Sequence, residues 1–79
     1  MNYSARAPAY DVTENLHRLY AETRKSYQRS DRSMRAQRRN PNTETTRKAI
    51  ADYNAYSASL TAYNDAMDAA RREAYPVTA

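Results

Sequence analysis

From Ala49 onward the apolar positions recur in alternating steps of four and three: Ala49, Tyr53, Tyr56, Leu60, Tyr63, Met67, Ala70 and Ala74. Steps of this kind place side chains on one stripe of a helix, and a sustained alternation is a coiled-coil seam. Val12, Leu16, Tyr20, Thr23, Tyr27, Ser30 and Met34 form a similar stripe in the first half, with one extra step of four that Leu19 can share. Prolines punctuate the chain at Pro8, Pro41 and Pro76, and proline bounds a helix more readily than it sits inside one.

These signals predict an all-α chain of two long antiparallel helices, a helical hairpin joined near Pro41. The expected bounds are an extended arm over 1–10, a helix over 11–39, a loop over 40–42, a helix over 43–75 and a tail over 76–79, all within a single domain. Asp11 is a good N-cap, and Glu14 three residues later completes a capping-box pattern. Glu44 suits the first turn of the second helix, and Arg71 and Arg72 suit its last.

Folding the two stripes onto one another fixes a register. Met34 meets Ala49, Ser30 meets Tyr53, Tyr27 meets Tyr56, Thr23 meets Leu60, Tyr20 meets Tyr63 and Leu16 meets Met67, each pair summing to 83. The midpoint of that sum falls between Pro41 and Asn42, where the turn signal lies. Two independent features therefore agree on the hairpin.

Composition sharpens the picture. The chain contains no Gly, Cys, Trp or Phe, so β-hairpin turns built on glycine, disulfides and thiolate metal sites have no material. The start lacks the apolar stretch of a signal peptide, and no apolar run approaches the roughly 20 residues that span a bilayer. The expectation is a soluble protein of the cytoplasm or of a virion. Large apolar residues are few, and one seam of mixed size is a small core for so much ordered helix. A marginal monomer that gains burial in a homo-oligomer or a larger assembly is expected.

The second helix carries another stripe: Ala51, Ala55, Ala58, Ala62, Ala66 and Ala69, nearly opposite the tyrosine seam. Alanine is the best helix former and could simply line a solvent face. Solvent faces usually also carry Glu, Lys and Arg, and none occurs between Tyr53 and Asn64. The stripe is therefore a candidate docking face for a partner subunit.

Charge is segregated. Between Arg24 and Lys48 nine basic residues face only Asp31 and Glu44, a net charge of +7, while the rest of the chain carries −3. Lys25, Arg29, Arg32, Arg35, Arg38, Arg39, Arg47 and Lys48 make a basic tip suited to phosphates or to an acidic protein surface. No base-reading motif accompanies them. A solvated helix surface is the plainer reading of the same charges.

Catalytic chemistry has little to draw on. His17 is the single histidine, and neither a nucleophile–base pair nor a glycine-rich phosphate loop is present. No enzyme activity, cofactor, metal, membrane contact or small-molecule substrate is expected. The function read from the sequence is a structural, assembly or interaction protein, with the alanine face and basic tip as docking surfaces. Small size and flanking arms fit a minor component of a phage or viral particle. The alternatives are a small phage-type inhibitor or regulator of a host enzyme, and a homodimeric four-helix-bundle nucleic-acid-binding protein.

Overall fold

A computed structural model describes the backbone of residues 3–74 and the side chains of residues 13–74. Two helices, α1 (Tyr3–Arg39) and α2 (Thr43–Ala74), pack antiparallel along their length as a hairpin. At about 1.5 Å per residue the 37 residues of α1 account for most of the 60 Å long axis. The other extents, 27 and 12 Å, are those of a single layer two helices wide.

The turn is built from its polar residues. Asn42 is the N-cap of α2: its side-chain oxygen accepts from the Thr45 amide at 2.8 Å, and its own amide donates to the Thr45 hydroxyl oxygen at 3.1 Å. This is a reciprocal capping box with threonine in the place usually held by Glu or Gln. The Thr45 hydroxyl donates back to the Asn40 carbonyl at 2.9 Å and so ties the end of α1 to the start of α2. Across the tip, the Gln37 amide reaches the Thr46 hydroxyl at 3.4 Å.

At the other end α1 starts at Tyr3 rather than at Asp11, so residues 3–10 continue the helix instead of forming an extended arm. Ala5, Ala7 and Ala9 favour helix, and they carry it through Pro8, which forgoes the bond to the residue 4 carbonyl and crowds it. Asp11 therefore does not cap α1. The expected end of α2 at Tyr75 and the tail over 76–79 lie outside the described residues.

The seam between the helices follows an unbroken heptad, but it is rotated from the one the apolar residues suggest. In α1 the positions facing α2 are Leu16, Leu19, Thr23, Ser26, Ser30, Ser33 and Gln37. In α2 they are Thr45, Ala49, Asp52, Tyr56, Ser59, Tyr63, Ala66 and Ala70. Every second layer thus falls one residue earlier than expected. Tyr20, Tyr27 and Met34 give way to Leu19, Ser26 and Ser33, and Tyr53 to Asp52, whereas Leu60 and Met67 stay half-buried beside Ser59 and Ala66. Register is as expected: Tyr20 packs on Tyr63 with ring centroids 5.8 Å apart, and Tyr27 on Tyr56 at 5.5 Å with an edge-on tilt.

The most buried side chains are hydroxyls. Thr23, Ser26, Ser30 and Ser33 are buried, and among the described residues no apolar side chain is. The Ser26 and Ser59 hydroxyls lie 3.2 Å apart across the seam. The Thr23 hydroxyl lies 2.7 Å from the Leu19 carbonyl and 3.2 Å from the Ser59 carbonyl. Short side chains let two backbones approach closely. They return far less hydrophobic free energy than leucine would, at about 25 cal/mol per Å² of apolar surface.

Candidate functional site

Three surfaces of the layer carry the residues singled out from the sequence. The first is the face flanking the seam on its tyrosine side. Tyr20, Tyr27 and Met34 stand one heptad apart on α1, and Tyr53, Leu60 and Met67 one heptad apart on α2. In an antiparallel pair these positions lie on the same side of the seam. Ile50 continues the patch toward the turn, where it lines a shallow groove with Pro41, Thr46 and Arg47. Tyr20, Tyr27, Met34, Ile50 and Tyr53 are between 42% and 56% exposed. This face is the second role of residues that the sequence assigned to the seam.

The second surface is the alanine stripe. Ala51, Ala55, Ala58, Ala62 and Ala69 are exposed along α2, whereas Ala66 is half-buried against α1 as a seam residue. Ala55, Ala62 and Ala69 flank the seam on the side away from the tyrosines.

The third surface is the tip. Arg29, Arg32 and Arg39 of α1 and Lys48 of α2 line one groove with Ser33, Ala36 and Thr45. The helix crossing brings together four of the eight basic residues. Of the other four, Arg35 is paired with Asp31 at 3.1 Å, Arg47 lines the groove beside Pro41, and Lys25 and Arg38 are exposed outside these grooves. The Arg35–Asp31 pair is solvent-exposed, and such pairs contribute little to stability.

Asp52 forms the floor beside that groove, a position the apolar pattern did not reveal. Its side chain is 13% exposed and lies 3.5 Å from Lys48 Nζ, and the Ser33 hydroxyl donates to its carboxylate. That hydrogen bond, reinforced by the charges of Lys48 and Arg29 and opposed by burial, holds the Asp52 pKa below its ordinary value near 3.8. The only sequence signal was the Lys48–Asp52 spacing of four, which marks an ion pair but not an inward-facing one.

Among the described residues no cluster of His, Asp and Glu could hold a metal ion, and no helix is long and apolar enough to cross a membrane. His17 is exposed beside Glu14, Asn15 and Arg18. No protein family, curated protein or solved structure matches the chain.

Proposed function

We propose that the protein is a non-enzymatic interaction and assembly protein whose two-helix layer is completed by another subunit. One observation carries this reading. The described hairpin buries hydroxyls and no apolar side chain, while five large apolar residues stand about half exposed along it. A single layer offers nothing to cover them. Exposed apolar patches of this continuity mark docking surfaces in soluble proteins. The alanine stripe offers a further close-approach surface on the opposite side.

The test is the concentration dependence of folding. Thermal melts by circular dichroism, run with analytical ultracentrifugation, should show a melting temperature that rises with protein concentration or on adding the partner subunit. A monomer that melts sharply at a temperature independent of concentration overturns the reading.

A second reading concerns the tip. The convergence of Arg29, Arg32, Arg39 and Lys48 on one groove favours contact with the phosphates of a nucleic acid. Binding of this kind follows the backbone, tolerates sequence and weakens steeply with salt. Titration of a DNA or RNA oligomer across a salt series tests it, and affinity independent of salt refutes it.

A further inference from the structure

We propose that the subunit covering the tyrosine face is a second copy of this chain, docked face to face and antiparallel to give a four-helix bundle. This rests on the reading that the layer is completed by another subunit, and it names that subunit and its orientation.

The face is self-complementary about its own centre. On α1 the large apolar positions are Tyr20, Tyr27 and Met34, centred on Tyr27. On α2 the stripe Tyr53, Leu60 and Met67 is centred on Leu60, about one turn from Tyr56, which packs on Tyr27 at 5.5 Å, and within it Tyr53 is exposed while Leu60 and Met67 are half-buried. The two midpoints lie within about one helical turn of each other, and the more exposed α1 stripe sets the axis at Tyr27. A two-fold axis through that midpoint, lying in the interface and crossing the helices, sets α1 over α1 and α2 over α2. Tyr27 then meets Tyr27, Tyr20 meets Met34, and Tyr53 meets Leu60. Tyr27 meets its own copy on the axis, and the Tyr20–Met34 contact, a ring against a flexible aliphatic chain, occurs twice, as in any isologous interface.

Area and charge point to the same arrangement. The layer presents a face 60 by 27 Å, ample for the roughly 800 Å² per partner that a standard interface buries. Charge then separates the two possible orientations. With both tips at one end, two segments of +7 would lie side by side. Packed helices are about 8–10 Å apart, close to the Debye length at physiological salt, so that repulsion is only partly screened. The antiparallel dimer instead sets each tip over the partner's open end, which carries −2 once Asp52, paired with Lys48 beside the tip groove, is set aside.

The experiment uses the full chain, which has no cysteine to interfere. Sedimentation equilibrium should give twice the 9.1 kDa chain mass. Mixing Y20C with M34C under mild oxidation should yield the mixed disulfide dimer, and mixing Y20C with L60C should not. The reverse pattern, Y20C linking to L60C, is the signature of parallel tips and overturns the orientation. A chain that stays monomeric and unfolded until a different protein is added overturns the second copy but leaves the assembly function standing. A well-folded monomer overturns both. As a second variant, Y27E places two like charges on the two-fold axis and should weaken dimerisation at least tenfold. If it leaves the dimer intact, the tyrosine face is not the interface.

Discussion

Two serines in the same seam should respond to alanine in opposite directions. Ser33, 5% exposed, donates its hydroxyl to Asp52, whereas Ser30, 3% exposed, takes no part in the bonds that cross the seam. A hydrogen bond to a charged group contributes about 1.5–3 kcal/mol. Asp52 keeps Lys48 beside it and some access to water, which favours the lower figure. Alanine returns about 0.5 kcal/mol of helix propensity. Ser33→Ala should therefore destabilise by about 1 kcal/mol. Ser30→Ala gains the same propensity and removes a buried hydroxyl, so it should stabilise by about 0.5–1 kcal/mol. Urea melts at one protein concentration, followed by far-UV circular dichroism, separate the two. The Ser33→Ala deficit should shrink in acid, as pH falls through the lowered pKa of Asp52 and its carboxylate takes up a proton. Equal effects of the two substitutions, or a Ser33→Ala deficit that ignores pH, would refute the assignment of Asp52 as an inward-facing carboxylate held by Ser33.

Further outcomes follow from the same contacts. Because the Asp52 pKa is lowered on folding, the stability it contributes is present above the unfolded value and lost as pH falls through the folded one. Acid titration of wild type against Asp52→Asn should show the wild-type advantage shrink as pH falls below the ordinary carboxylate value near 3.8 and vanish only below the lowered folded value. Asn42→Ala removes the cap that accepts the Thr45 amide and should cost about 1 kcal/mol in a denaturant melt, with Asn42→Gly costing less. Replacing Arg29, Arg32 and Arg39 together with alanine should lower the salt slope of oligonucleotide binding in a fluorescence titration, while far-UV circular dichroism stays helical.

The parts of the fold legible in the sequence were those with strong local signals. Pro41 and Asn42 mark the turn, and the spacing of tyrosines set a register that the Tyr20–Tyr63 and Tyr27–Tyr56 ring contacts match. The rotation of the seam was not legible. A pattern search weights large apolar residues, and here Tyr20, Tyr27 and Met34 stand next to the smaller Leu19, Ser26 and Ser33 that face α2. Small hydroxyls on α1 permit a close approach that bulky rings there would block, so the α1 rings stand at the flank and pack on Tyr56 and Tyr63 from the side. Asp52 was hidden for a related reason, since a charged residue on a helix reads as a solvated one until a partner such as Ser33 is placed opposite. At the N-terminus, Asp11 and Glu14 looked like a start, yet the alanines before them carry the helix back to Tyr3. The basic tip was plain from composition, but which side chains share a groove depends on how the two helices cross.

The hydroxyl-lined seam also bears on how the protein responds to temperature. The heat-capacity increment of unfolding comes from newly hydrated apolar surface and is about 12–15 cal/mol/K per residue in ordinary globular domains. A hairpin whose most occluded side chains are Thr23, Ser26, Ser30 and Ser33 exposes little such surface when it opens by itself. Its own stability curve is accordingly broad and shallow, and chilling does little to weaken it. In the proposed assembly, marked calorimetric curvature would come from the joining of subunits.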